Sequence, residues 1–209
     1  PPQVDLIHPA DIPADIVATL LYPVTDRPFR ELYEMARGWS AAHRAEVLDV
    51  ALETRARRDD LLAGFHGGLY AYDFVIDVGA YRDLHRHRRC QKFRQNYAGR
   101  LGYETPELVI DAGALPVYRK AMESALADMQ GLPRPGAHYL LPFGARNRFL
   151  FKMDFAEAEY IARVRSGVKG HFSYRRVAWE MKLKMEALEP ELGRLMQATP
   201  PWEEDLLKR

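Results

Sequence analysis

A short basic segment carries the side chains best suited to chemistry in this sequence. Between Arg82 and Arg100 there are seven Lys or Arg residues against one acid, Asp83, whereas the whole chain has a formal net charge of only +1. Guanidinium groups present paired donors that match the oxygens of phosphates and carboxylates. The segment is therefore interpreted either as an anion-binding site or as a solvated basic surface, because charge runs are often simply exposed.

Other chemistry is possible in the same segment. It contains two histidines, His85 and His87, and the only cysteine of the chain, Cys90. The flanking arginines would repel a cation, and no cysteine or carboxylate stands at metal-ligand spacing, so we expect no metal site. Nearby cations favour the thiolate, which leaves a nucleophilic Cys90 open, although a buried and inert cysteine is commoner. Aromatic neighbours such as Phe93 and Tyr97 leave single-stranded nucleic acid as a weaker alternative.

Composition limits the class of protein. The 209 residues are 47% apolar and 28% charged, which is ordinary for a soluble globular domain. No apolar run approaches the roughly 20 residues of a membrane span, and there is no signal-peptide pattern. A lone cysteine excludes an internal disulfide and fits a reducing compartment, so a cytoplasmic location is expected. The chain begins at Pro1, and we expect one domain over residues 1–209, either alone or within a longer protein.

The elements around the basic segment favour a binding site over an exposed surface. The stretch Leu69–Val78 is rich in aromatic and β-branched residues with partial alternation, which predicts a strand. Gly79 ends this strand, and a helical turn from Ala80 to Leu84 leads into the basic residues. A loop at the end of a strand is held by a rigid scaffold, and binding residues are often found in such loops.

The first half of the chain otherwise has helical patterns. Asp11 and Ser40 are expected to cap two helices, and Pro28 to open another between them. A further helix is predicted around residues 117–129, after a turn at residues 102–106.

The second half mixes strands and helices. The segments Tyr139–Phe143 and Phe149–Met153 are predicted to form an antiparallel hairpin. Asp154 is expected to cap a helix that contains Tyr160, and another helix is predicted to begin near Phe172. Helices, then strands, then helices predict an α+β domain in which an antiparallel sheet is flanked by helices.

Three stretches together resemble one family, the flavin-dependent thymidylate synthases of the ThyX type. Arg86-His87-Arg88 matches the Arg-His-Arg triplet that follows the family's strand and helix. Residues 141–151 resemble its strand hairpin, and residues 154–165 and 171–181 resemble its C-terminal helix pair. The order and spacing agree over about residues 4 to 189.

The resemblance implies a homotetrameric enzyme that methylates dUMP or a related uridine nucleotide. It implies FAD as the cofactor, with methylenetetrahydrofolate and NADPH as co-substrates, and Arg165 as the catalytic residue that polarises the pyrimidine. The family's flavin contacts correspond here to Arg86, His87, Arg88, Arg94, Asp154 and Tyr160. Its nucleotide contacts correspond to Asp83, Arg86, Asn96, His138 and Arg165.

Several of these positions depart from the family's pattern. Where the family signature closes with Ser-x-Arg, this chain has Asn96-Tyr97-Ala98, and His138 replaces a second phosphate-binding arginine. Losing one charge-assisted contact typically costs about 1.5–3 kcal/mol, so two losses predict much weaker dUMP binding. Lys92, Arg94 and Arg100 lie nearby and could bind the anion instead. A non-catalytic relative that binds flavin or another nucleotide therefore stands beside an active synthase as the alternative.

Overall fold

The computed structural model describes residues 10–25, 27–97, 99–133 and 136–204. Short 3-10 turns occupy Tyr22–Val24, Ala63–Phe65 and Gly136–Leu140. The strands are β1 (Tyr70–Asp77), β2 (Gln91–Arg94) and β3 (Arg146–Met153). The helices are α1 (Ile12–Leu21), α2 (Phe29–Gly38), α3 (Ala41–Ala51), α4 (Val78–Leu84), α5 (Glu107–Asp111), α6 (Leu115–Gly131), α7 (Phe155–Arg165), α8 (Phe172–Leu188) and α9 (Pro190–Gly193).

In the described residues the three strands form one antiparallel sheet in the order β1-β3-β2, so the strand that comes last in sequence among them lies at the centre. β1 pairs with β3 along its whole length, from Tyr70 opposite Met153 to Asp77 opposite Arg146. Buried and less buried residues alternate along β3, as expected for a strand with one face on the core. The predicted strand at residues 69–78 and the predicted α+β class, an antiparallel sheet with helices around it, are confirmed.

The predicted hairpin is wrong in its first strand. The segment from Tyr139 to Phe143 begins inside a 3-10 turn, and the side chain of Tyr139 is 92% exposed. Pro142 has no N–H to give to a strand ladder. The carbonyl of Phe143 accepts instead the N–H of Gly79 at 3.0 Å, at the start of α4. The second predicted strand is confirmed as part of β3, but its partners are β1 and β2.

The core lies between the sheet and the helices α1, α7 and α8. Its largest fully buried side chains include Phe65, Phe149, Phe151 and Phe155. The ring of Tyr81 stacks on Phe149 with 3.9 Å between centroids, which packs α4 onto the sheet. Hydrophobic burial is the dominant favourable contribution to folding, and the packing of these rings fixes α4 and α7 relative to the strands.

Asp77 fixes the start of α4, the helix that leads to the basic segment. It is only 4% exposed, and its Oδ1 accepts the N–H of Ala80 at 2.8 Å as the helix N-cap. Its Oδ2 accepts a hydrogen bond from the hydroxyl of Ser173 on α8. The turn after α4 is therefore attached through Asp77 to both the sheet and α8.

The described segment after α8 packs against α3 and the α7–α8 turn. Arg44 of α3 pairs with Glu191 of α9, with a nitrogen–oxygen distance of 2.7 Å. The buried guanidinium of Arg175 donates to the carbonyls of Ser166, Pro200 and Glu203. Polar contacts therefore join this segment to α3 and α8.

No helix in the described ranges is long and apolar enough to cross a membrane. The expected single domain over residues 1–209 and the cytoplasmic location stay predictions.

Candidate functional site

An open cleft of about 410 Å³ lies between the turn after α4 and helix α7. The turn contributes the basic residues 86–89, and α7 contributes Glu157, Tyr160, Val164 and Arg165 at helical spacing. Asp60, from the loop after α3, completes the lining. Five residues singled out from the sequence meet in this cleft: Arg86, His87, Arg88, Tyr160 and Arg165.

His87 connects the turn to α7. Its side chain is buried, and its ring Nε2 accepts a hydrogen bond from Nε of Arg165 at 2.8 Å. Its Nδ1 lies 3.5 Å from Oε1 of Glu157. The ring also packs edge-on against Tyr160, with 5.6 Å between centroids. His87 is therefore held on three sides by residues of α7.

The other guanidinium groups of the cleft are only partly neutralised. Arg86 has a side chain that is 68% exposed, and its Nε lies 3.9 Å from Asp83. Arg88 is exposed and has no ion-pair partner among the residues that the structure describes. Within those same residues, Arg165 donates only from Nε, to His87, and its two terminal nitrogens have no hydrogen-bond acceptor. These donors can bind an anionic ligand.

Asp154 lies behind the cleft and holds α7 in place. Its Oδ1 accepts the N–H of Glu157 at 2.8 Å, which confirms the predicted helix cap. Its Oδ2 lies 3.0 Å from Nδ1 of His66. Arg89 contacts the same imidazole ring and lies 3.9 Å from Glu157. Asp154 therefore acts on the cleft through its neighbours, since it is not part of the lining.

Asp83 lies on α4 beside Arg86, whereas Arg94, Asn96 and His138 form a separate group at and after the end of β2. The guanidinium of Arg94 lies over the ring of Tyr97, 4.1 Å from its centroid. His138 meets the same ring edge-on at 5.4 Å. Asn96 is exposed, and Ala98 lies outside the described residues. None of the described members of this group lines the cleft.

Cys90 is buried, as predicted for an inert cysteine. Its Sγ donates to the carbonyl of His87 at 3.3 Å, and the ammonium of Lys92 donates to the same carbonyl. Burial raises the pKa of the Cys90 thiol, and this effect outweighs the opposing charge of Lys92. The thiol is therefore part of the packing that fixes the turn, and a thiolate nucleophile is disfavoured.

Sequence reasoning missed the acids around the cleft. Glu157 is buried in its wall, and Asp60 accepts a hydrogen bond from Arg163 at 2.9 Å. The next acid of α7, Glu159, lies 2.9 Å from Arg55 and 3.3 Å from Arg163, which are ion-pair distances without hydrogen-bond angles. Acidic residues between the alanines of α7 were the available signal, because a buried carboxylate needs a partner.

A second concavity, of about 630 Å³, runs along α6. It is lined by residues of mixed charge, including Arg119, Lys120 and Glu123, and by none of the residues singled out from the sequence. No group of three or more metal-binding side chains occurs in the described part of the chain. The cleft beside α7 is therefore the better candidate for chemistry.

Comparison of folds gives two informative solved structures. The UMP/dUMP methylase PolB from Streptomyces cacaoi, solved with 5-Br dUMP, superposes with a TM-score of 0.64 and 13% identity, over 89% of this chain and 93% of that one. Thymidylate synthase X from Helicobacter pylori, solved with FAD and dUMP, gives a TM-score of 0.60 and 14% identity, over 88% and 92%. At this level of identity the similarity concerns the fold.

Sequence comparison gives closer but longer relatives. The UPF0159 protein of Chlamydia muridarum is 27% identical over 195 residues, covering 91% of this chain and 37% of that protein. The UPF0159 protein of Chlamydia pneumoniae is 29% identical over 168 residues, covering 78% and 32%. The chain thus spans about a third of the length of these curated relatives. The profile of the Thy1 family, described as thymidylate synthase complementing protein, matches residues 69–191, which include all three strands and the whole cleft except Asp60.

Proposed function

The chain belongs to the thymidylate synthase complementing protein family, and on that premise we propose that it is a flavin-dependent methyltransferase of the thymidylate synthase type. In this proposal FAD and dUMP, or a related uridine nucleotide, bind at the cleft. Methylenetetrahydrofolate supplies the carbon and NADPH the reducing equivalents. The observation that carries the proposal is the contact of Arg165 with His87 inside a cleft bounded by Arg86 and Arg88.

The residues of the cleft fit a flavin dinucleotide. Its pyrophosphate is anionic, and the exposed guanidinium groups of Arg86 and Arg88 have donors free to bind it. Tyr160 presents an exposed aromatic ring beside His87. We assign these four residues to the cofactor, with Asp154 supporting α7 behind them. Bound flavin would supply the hydride chemistry that amino-acid side chains cannot provide.

Arg165 has the catalytic role in this proposal. Its guanidinium charge would stabilise negative charge that develops on the pyrimidine ring. Asp83, which lies beside Arg86, is assigned to the nucleotide at the edge of the same cleft. Lysine at position 165 would keep the positive charge but could not present the planar set of donors that arginine has.

Flavin binding and methylation can be tested separately. We expect the purified protein to quench flavin fluorescence on binding and to release tritium from ring-labelled dUMP when all co-substrates are present. Arg165→Lys should lower turnover by about a hundredfold or more and leave FAD affinity nearly unchanged. Arg37→Ala is a matched control, because Arg37 is exposed on α2 and pairs with Glu34 of the same helix. A wild-type protein that binds no FAD would contradict the proposal.

We propose that a homotetramer completes the site. Arg94, Asn96 and His138 do not line the cleft of their own chain, and in this proposal another subunit brings them to the same ligands. Large apolar side chains such as Leu108 and Val117, on α5 and α6, are exposed and offer a surface for such packing. Light scattering should report four chains, and a monomer at micromolar concentration would contradict this assembly.

A second function, flavin or nucleotide binding without catalysis, is favoured by the group after β2. His138 and Ala98 stand where the resemblance places phosphate-binding arginines, and the His138 ring already packs against Tyr97. Two lost contacts at about 1.5–3 kcal/mol each would weaken dUMP binding by orders of magnitude. FAD binding without tritium release, together with failure to rescue a thymidine-requiring strain, would select this function.

A further inference from the structure

The contacts of His87 determine which of its ring nitrogens carries a proton. Nε2 lies 2.8 Å from Nε of Arg165, and an arginine N–H can only donate, so Nε2 is the acceptor. The proton of the neutral ring is therefore on Nδ1, which faces Oε1 of Glu157 at 3.5 Å. Among the described residues, no other side chain makes a polar contact with Nδ1. Carboxylate, imidazole and guanidinium thus form one ordered series.

Helix capping does not account for the position of the Glu157 side chain. Glu157 is in the first turn of α7, where acids are common because they face free N–H groups. In a capping box its side chain would reach back to the N–H of Asp154. It lies instead against His87, 3.9 Å from Arg89, with 2% of the residue exposed. Burial of a carboxylate is costly unless the group is paired, and His87 and Arg89 are the partners within reach.

We propose that Glu157 is a positioning residue for Arg165 and acts through His87. The carboxylate keeps the proton on Nδ1, and the lone pair on Nε2 then holds Nε of Arg165. The guanidinium consequently presents its two terminal nitrogens to the cleft as a fork. This fork matches ligands with paired acceptors, such as a carboxylate, a phosphate or the N3 and O4 atoms of a pyrimidine that has lost its N3 proton. The inference rests on the proposed function only where it names the pyrimidine.

Loss of Glu157 has a defined consequence in this arrangement. Without the carboxylate, the proton of His87 is free to move to Nε2, where it would face the N–H of Arg165. Two donors repel each other, so the guanidinium would lose its fixed orientation while its charge stayed in place. If Glu157 had a purely structural role, its loss would lower the stability of the fold without changing the His87 tautomer.

Nitrogen-15 spectra of ring-labelled histidine test this without any ligand. We expect His87, assigned by loss of its signal in His87→Gln, to be neutral with its proton on Nδ1. The Nε–H signal of Arg165, assigned with Arg165→Lys, should be protected from exchange. Glu157→Ala should give mixed His87 tautomers and loss of that protection. Glu157→Gln should keep most of both, because an amide oxygen can still face the Nδ1 proton from the position of Oε1. The matched control is Glu46→Ala, which breaks an exposed pair with His43 at 2.9 Å.

Ligand binding provides the functional readout. Glu157→Ala should lower affinity for dUMP by about tenfold or more, by analogy with the loss of a carboxylate that orients a metal-ligating histidine. The proposal would be overturned if the wild-type protein carried the His87 proton on Nε2. It would equally be overturned if a folded Glu157→Ala variant kept the wild-type signals of His87 and of the Arg165 Nε–H. The proposal would also be overturned if Glu157→Ala changed the His87 tautomer and removed the protection of the Arg165 Nε–H, yet left dUMP affinity unchanged. If the wild type binds no flavin and no nucleotide, the proposed function fails, whereas the spectra still decide the role of Glu157.

Discussion

Replacement of Asp77 with alanine should destabilise the protein by about 2–4 kcal/mol. Alanine removes the acceptor for the N–H of Ala80, and loss of a helix N-cap typically costs about 1 kcal/mol. It also removes the acceptor of the Ser173 hydroxyl, which is buried, and an unsatisfied buried donor costs about 1–3 kcal/mol. The sum is a large part of the roughly 5–15 kcal/mol that stabilises a typical domain.

Three further variants separate these contributions. Asp77→Asn retains an oxygen for Ala80 and an amide that can bond Ser173, so it should cost far less than alanine. Ser40→Ala is the matched control, because Ser40 caps α3 at an exposed site, with 3.2 Å to the N–H of His43. It should cost about 1 kcal/mol. Ser173→Ala removes only the contact to α8, so its effect should not add to that of Asp77→Ala.

Urea unfolding followed by circular dichroism measures these differences. The denaturant slope should stay constant across the series, so that shifts in midpoint report stability. Because Asp77 fixes the helix before the cleft, Asp77→Ala should also weaken ligand binding more than Ser40→Ala. The double role of Asp77 is refuted if Asp77→Ala costs no more than Ser40→Ala, or if the effects of Asp77→Ala and Ser173→Ala simply add.

Charge and burial also determine how Glu189, Cys90 and Arg175 respond to perturbation. Burial raises the pKa of Glu189 above its ordinary value of 4.5, so the folded state favours the protonated carboxyl. The folded state therefore loses stability as the pH rises from 4.5 through the raised pKa. Glu189→Gln should therefore raise Tm near neutral pH and leave it unchanged well below pH 4.5; an equal shift at both would contradict this. The buried thiol of Cys90 should react with iodoacetamide roughly tenfold or more slowly in the native protein than in urea, and equal rates would count against its burial. Arg175→Leu removes the donors to the carbonyls of Pro200 and Glu203, so thermolysin should cut the segment after α9 faster. An unchanged rate of cleavage would show that these hydrogen bonds do not hold the segment in place.

Parts of the fold could be predicted because one residue pattern had one physical meaning. Asp11, Ser40 and Asp154 each precede an apolar helical pattern, and each accepts the backbone N–H three residues later. The strand at residues 69–78 combined β-branched and aromatic residues with a glycine at its end. Local hydrogen bonding and side-chain shape decide such features, so the sequence alone was sufficient.

Other parts depended on contacts that are distant in sequence. The apolar run from Tyr139 to Phe143 has the composition of a strand, but most of these side chains are exposed and no ladder forms. Strand β2 was not predicted, because Gln91-Lys92-Phe93-Arg94 has the charges of a loop. Charged residues are common on edge strands, where they discourage pairing with other molecules.

The basic residues of the candidate site could be predicted, but the contacts between their side chains and α7 could not. The arginine and histidine types identified the turn, and the resemblance to a family added Arg165 from a helix far along the chain. Glu157 was missed because an acid in the first turn of a helix is already explained by the helix dipole. Its contact with His87 became visible only when the turn and α7 were seen side by side.

The central position of β3 determines when the sheet can form during synthesis. β1 and β2 do not pair with each other, and Tyr70 finds its partner only in Met153. At synthesis rates of roughly 5–20 residues per second, the ribosome needs several seconds to make the segment between β2 and β3. Throughout that interval both earlier strands of the nascent chain have unpaired edges. We therefore expect translation speed and chaperone supply, more than the intrinsic helix propensities, to set the yield of folded protein.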